Sequence, residues 1–228
     1  MSHNYGMISY VDAGVLDKTL DMICERFPGQ VINTCEVGVF DGQTSRGIYQ
    51  YITSRTYDEM VNPPEPAIYT FNRKCNHTAI DNEKDKLVKP PFPECNFIRG
   101  NSNEVYNRLG DGSQHLIFVD GLHTFPAVVS DFFCYAPKVK VGGFIAFHDT
   151  GQHLDPLSGW QGVGSKDDPD MCLGGVRKAL QTIGLLEPFI NPNYENVEGG
   201  IYDEWDLVFD EADPNDTGGG ICVFKKLY

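Results

Sequence analysis

Glu36-Val37-Gly38-Val39-Phe40-Asp41-Gly42-Gln43-Thr44-Ser45 is the stretch that decides the fold. It follows the β-branched run Val31-Ile32-Asn33-Thr34 and opens a helix-like segment from Gln43 to about Thr53. The order is therefore strand, turn, helix. Glycines at 38 and 42 let backbone approach a ligand closely and take up strained dihedrals. The helix start offers unpaired N–H groups to an anion. A dinucleotide loop carries a third, middle glycine, and Phe40 stands in its place. Its side chain would crowd a pyrophosphate but not a smaller cofactor with a carboxylate and an amine, and Glu36 can answer the amine.

Around this loop, apolar and turn signals alternate. Val11 to Phe27 carries Val15, Leu16, Leu20, Ile23 and Cys24 at helical spacing, with Asp12 as the expected cap and Pro28-Gly29 as the stop. Strands are expected at Val31–Val37, Ala67–Phe71, Asn96–Arg99, His115–Val119, Gly143–Phe147, Trp205–Phe209 and Gly220–Phe224. Helices are expected near Thr78–Lys86, at Asn103–Leu109 with Ser102 as cap, at Phe125–Tyr135 and at Gly174–Ile183. This alternation predicts an α/β Rossmann-like fold with a doubly wound seven-stranded sheet, mostly parallel, closed at one edge by an antiparallel hairpin. No repeat or second-domain boundary interrupts it, so residues 1–228 read as a single domain. Residues 1–30 form an N-terminal helical segment. The long irregular stretch 151–173, with Trp160 and His153, follows a strand's C-terminal end and reads as an active-site lid.

The 228 residues carry a formal net charge of −14. Such a surface repels phosphate backbones and argues against nucleic acid as partner. The basic residues between Arg73 and Lys89 alternate with Asp81, Glu83 and Asp85, which suits a solvated helix face. The cysteines number seven and include no C-x-x-C pair, which fits free thiols in a reducing compartment. Residues 1–10 lack the basic and apolar regions of a signal peptide, and no apolar run suits a membrane span. A cytoplasmic protein acting on a small molecule, with homo-oligomers left open, is the expectation.

Three further segments complete the pattern: Phe97-Ile98-Arg99-Gly100-Asn101-Ser102; Leu116-Ile117-Phe118-Val119-Asp120-Gly121-Leu122-His123-Thr124; and Val141-Gly142-Gly143-Phe144-Ile145-Ala146-Phe147-His148-Asp149-Thr150. In this order and spacing, over about residues 31–184, the chain resembles class I S-adenosylmethionine-dependent methyltransferases. The nearest group is that of macrocin-type sugar O-methyltransferases and cephalosporin-hydroxylase-like proteins. The resemblance implies that Glu36, Gly38, Phe40 and Gly42, with Thr44 and Ser45, hold the methionine end of the cofactor. It places Asn72 at the ribose, where the family carries an acidic residue, and Asn101 and Ser102 beside the adenine.

Asp120, His148 and Asp149 each lie just beyond an apolar strand, so they should converge at one rim of the sheet. Two carboxylates and an imidazole suit a divalent cation such as Mg²⁺, and in the resembled enzymes a metal here binds substrate hydroxyls. Asp120 also borders the cofactor. His123 or His148 is the candidate general base, with His153 a weaker one. The resulting expectation is methyl transfer to a hydroxyl of a small polyol or sugar-bearing acceptor. Two other readings of the same residues stay open. One is a metal-dependent oxygenase with a facial triad drawn from Asp120, His148 and Asp149 or His123. The other is a non-catalytic cofactor-binding module.

Overall fold

A computed structural model describes residues 8–54, 73–82, 90–151, 175–186, 203–211 and 219–228. Seven strands form one sheet: β1 (Ile32–Val37), β2 (Cys75–Asp81), β3 (Asn96–Arg99), β4 (Gln114–Val119), β5 (Val139–His148), β6 (Trp205–Glu211) and β7 (Ile221–Lys226). Their order across the sheet is β3-β2-β1-β4-β5-β7-β6. Strands β1 to β5 pair in parallel, and β7 alone is antiparallel to both of its neighbours. The expected edge hairpin is present, with β7 inserted between β5 and β6.

Alternation along the central strands builds two apolar layers. Leu116 and Phe118 of β4, Phe144 and Ala146 of β5, and Ile221 and Val223 of β7 face one way. There they meet Leu16, Leu20 and Ile23 of α1 (Tyr10–Arg26) and Ile48, Tyr51 and Ile52 of α2 (Gln43–Ser54). The intervening residues Ile117, Val119, Ile145, Phe147, Cys222 and Phe224 face the other way. They pack on Val105 of α3 (Ser102–Val105), Phe132 and Tyr135 of α4 (Phe125–Tyr135) and Val176 and Leu180 of α5 (Gly175–Thr182). Each such fully buried large side chain contributes roughly 1.5–3 kcal/mol of hydrophobic stabilisation.

Three local expectations are corrected. The cap of α1 is Ser9, whose hydroxyl accepts from the Asp12 N–H at 3.1 Å, while the Asp12 carboxylate turns into the protein. The residue capping α3 is Asn101, and the Ser102 hydroxyl donates to Asp131 at 2.6 Å instead. The strand beside β1 is Cys75–Asp81, so Thr78 to Asp81 is extended rather than helical. The stretch Ala67–Phe71, expected as strand two, lies outside the described residues, as do Asn72 and the lid residues 152–173. Among the described residues no helix is long and apolar enough to cross a membrane.

Candidate functional site

The strand order reverses between β1 and β4, and an open α/β sheet opens a crevice at the carboxyl ends of such strands. Two groups of residues meet there. The first is the glycine loop. The Gly38 N–H continues the sheet to Ile80 O at 2.9 Å, and Asp120 N–H bonds Val37 O at 2.8 Å. Gly38 has φ +83°, and a Cβ there would overlap the Asp120 carbonyl. This glycine is therefore required by the close approach of β4's end. Gly42, at φ +76°, stands where a Cβ would come within 2.7 Å of Pro91. Phe40 adopts φ +50° at the rim with an exposed ring.

Two amides of the loop between the glycines are engaged within the chain. Asp81 Oδ2 accepts from Val39 N–H at 2.7 Å and from Phe40 N–H at 3.0 Å. Asp81 is the acidic residue that ends β2, whereas Asn72, expected at that strand end, precedes β2 in the chain and lies outside the described residues. The signal in the sequence was the buried run Thr78-Ala79-Ile80 directly before an aspartate, obscured by the polar Asn76 and His77 that open the same strand.

Glu36 is buried at the end of β1, where Ser45 of α2 donates to its Oε2. Burial raises its pKa well above the ordinary carboxylate value, and the nearby charges of Asp120, Asp81 and Asp41 push the same way. Thr44 is buried in the first turn of α2. Asn101 accepts from Asn82 at 2.9 Å and donates to Glu104 at 3.1 Å. Ser102 is tied to Asp131, as above.

The second group stands one strand further along. His123 Nδ1 lies 2.9 Å from Asp149 Oδ2, and its Nε2 faces Asp120 Oδ1 at 3.3 Å without the angle of a hydrogen bond. Asp120, His123 and Asp149 offer one ligand atom each, all within 4.8 Å of one another. His148, expected as a ligand, lies outside this triangle. Its Nδ1 is 3.1 Å from Asp120 Oδ1 and its Nε2 is 3.2 Å from Asp12 Oδ2. Asp12 Oδ2 also accepts from the Gly220 N–H at 3.3 Å and from the Ser9 hydroxyl at 2.8 Å, while its Oδ1 has no partner among the described residues. Helix α1 thus reaches across to orient His148, a role that no local pattern around Asp12 announces. Asp149 sits at φ +55°, a left-handed conformation that aspartate tolerates better than most residues.

Burial disfavours an imidazolium, but the close approach of the Asp120 and Asp149 carboxylates and their negative charges outweigh it at His123, whose pKa rises to about 9. Burial likewise opposes charge on His148, and Asp120 and Asp12 more than offset it, so its pKa lies well above the usual value. Burial is overcome in Asp120 and Asp149 by the two histidines, and in Asp12 by His148 with Ser9 and the Gly220 amide, so all three titrate below the ordinary range. Two imidazolium ions therefore face three carboxylates, and the cluster keeps a net negative charge. Once His123 gives up its proton, oxygen donors from two carboxylates and one ring nitrogen fit a hard divalent cation.

A family model described as a methyltransferase domain matches residues 35–150, just over half of the chain, and the chain belongs to that family. Several solved structures share its fold. A protein from Corynebacterium glutamicum aligns with TM-score 0.57 and 14% identity, covering 97% of this chain and 84% of that one. The MycE methyltransferase of the mycinamycin biosynthetic pathway, in complex with Mg and SAH, aligns with TM-score 0.53 and 18% identity over 97% of this chain, which spans half the length of that one. The O-methyltransferase TomG from Streptomyces achromogenes, involved in tomaymycin synthesis and in complex with SAM, aligns with TM-score 0.54 and 14% identity, covering 94% and 80%. No curated protein matches the sequence.

Proposed function

We propose that this methyltransferase moves the methyl group of S-adenosylmethionine to a hydroxyl of a small polyol or sugar-bearing acceptor, with a divalent cation at Asp120, His123 and Asp149. The observation that carries the reading is the adjacency of two acidic groups at the switch point: the loop around Glu36 and the Asp120–His123–Asp149 triangle. The first suits a ligand that bears an ammonium and a sulfonium. The second suits a hydroxylated acceptor. MycE and TomG, which share the fold, were crystallised with SAH and Mg or with SAM, which supports the cofactor assignment.

In this reading Glu36 receives the cofactor's amine, Asp81 stands at the ribose, and Asn101 and Ser102 border the adenine. The sulfonium is already reactive, so the protein's task is alignment of the acceptor oxygen and removal of its proton. A divalent cation in the triangle would bind the acceptor hydroxyl and lower its pKa. His123, with a side chain 35% exposed at the rim, is a ligand in this arrangement, so the acidified hydroxyl gives up its proton to solvent water. To bind the cation His123 must first lose the proton that Asp120 and Asp149 hold on it. His148, held between Asp12 and Asp120, fixes the direction of Asp120. Two carboxylates with one imidazole invert the donor set of the two-histidine oxygenase triad, so methyl transfer is the better-supported chemistry.

Calorimetry with S-adenosylhomocysteine, then turnover of methyl-labelled S-adenosylmethionine on a panel of sugars and polyols with Mg²⁺ or Mn²⁺, tests the proposal. Micromolar cofactor binding and cation-dependent label transfer are expected. No binding up to millimolar concentration would overturn it.

A further inference from the structure

Four side chains behind the glycine loop form an unbroken hydrogen-bonded row. Thr34 Oγ1 lies 2.8 Å from His77 Nδ1, His77 Nε2 lies 2.9 Å from Ser45 Oγ, and the Ser45 hydroxyl donates to Glu36 Oε2. All four residues are buried, none more than 1% exposed. The row links β1, β2 and α2 and ends on the residue assigned above to the cofactor's amine.

Burial keeps His77 neutral, with its pKa pushed down to about 3. A neutral imidazole has one N–H and one acceptor nitrogen, so the directions of all the bonds in the row are linked. When Ser45 donates to Glu36, its oxygen is left to accept from His77 Nε2–H. His77 Nδ1 then accepts from the Thr34 hydroxyl. Every hydrogen in the row points toward the carboxylate. The nearby charges acting on Glu36 are those of Asp120, Asp81 and Asp41, all negative. An anion in such surroundings needs directed donors and a cation to stay ionised.

We infer that Ser45 and His77 are positioning residues for the cofactor: through the Thr34–His77–Ser45–Glu36 row they aim and stabilise the Glu36 carboxylate that receives the ammonium of S-adenosylmethionine. This rests on the reading of the loop as the amino-acid end of that cofactor's site. Neither residue touches the ligand; both act through Glu36. The hydroxyl of Ser45 is consequently turned away from the cofactor, which revises its expected role as a direct contact.

The test compares two ligands on wild type and Ser45→Ala by calorimetry. S-Adenosylhomocysteine carries the ammonium, whereas 5′-methylthioadenosine lacks the whole amino-acid end. Loss of the donor to Glu36 is expected to weaken S-adenosylhomocysteine about tenfold, the worth of one hydrogen bond to a charged group, and to leave methylthioadenosine unchanged. Equal weakening of both ligands would show a merely structural role and overturn the inference. Independently of any variant, ¹⁵N spectra of histidine-labelled wild type with S-adenosylhomocysteine should show His77 as the neutral Nε2–H tautomer. The Nδ1–H tautomer in that complex would also overturn it. Failure of wild type to bind S-adenosylhomocysteine at all would instead remove the cofactor reading, and this inference with it.

Discussion

Asp131→Asn should make the protein more stable at neutral pH, not less. Asp131 lies on α4, 3% exposed, and accepts from the Ser102 hydroxyl at 2.6 Å. Burial is the dominant influence and pushes its pKa up to about 6 from an ordinary 3.8, with the Ser102 bond only partly opposing it. The folded state thus holds this proton more tightly than the unfolded chain. Below about pH 4 both states are protonated and the group is neutral in its effect. Between about pH 4 and pH 6 the unfolded chain ionises first, so stability falls as pH rises, and above about pH 6 the loss is complete. The difference between 3.8 and about 6 corresponds to a ceiling of roughly 3 kcal/mol. An asparagine keeps an oxygen for Ser102 and carries no charge, at a cost of about 1 kcal/mol for the weaker hydrogen bond. A net gain of about 2 kcal/mol at pH 7.5 follows, or roughly 4–8 °C in Tm for a chain of this size. Urea unfolding of both proteins at pH 4 and pH 7.5 isolates the term, because the other titrating groups cancel in the difference. A variant that is less stable at pH 7.5, or a difference that does not change with pH, would refute the reasoning.

Three other outcomes are expected. Asp149→Asn keeps a residue that tolerates positive φ but removes a carboxylate from the triangle. It should lower methyl transfer by about two orders of magnitude or more while leaving calorimetric S-adenosylhomocysteine affinity near wild type. Asp12→Ala leaves His148 without its Nε2 partner and Gly220 without an acceptor. It should cost about 3–5 kcal/mol in urea unfolding, the penalty for breaking a buried ion pair from one side. Gly38→Ala places a Cβ on the Asp120 carbonyl at φ +83°, and should yield a protein whose thermal unfolding is lowered and whose cofactor binding is lost together.

The sheet was legible where burial and apolarity coincide. Asn96–Arg99 and Phe125–Tyr135 are found with the bounds read from the sequence, and β1, β4 and β5 differ only at their ends. Strand β2 was not legible, because the central strand next to β1 begins Cys75-Asn76-His77-Thr78. His77 is buried there only because Thr34 and Ser45 satisfy its two nitrogens, and those partners come from other elements. The misplacement of β2 moved its expected C-terminal end from Asp81 to Asn72. At the triangle, spacing indicated which strand ends converge, and Asp120, His123 and Asp149 do meet. It carried no information on which histidine turns toward solvent. His148 is drawn inward by Asp12, 136 positions away in the chain, and a contact of that separation leaves no trace in local pattern.

The bond from the Gly220 amide to Asp12 has a consequence for synthesis of the chain. Strand β7 is the hydrogen-bonded partner of both β5 and β6, so β6 cannot join the sheet until β7 has left the ribosome. A nascent chain ending before residue 219 would already possess the glycine loop and Asp120, yet His148 would lack the fully anchored aspartate that holds it. Contacts of such long sequence separation form slowly. Stalled-chain experiments should therefore find the Asp12–Gly220 bond, and with it the full anchoring of His148, formed only after residue 220 has emerged.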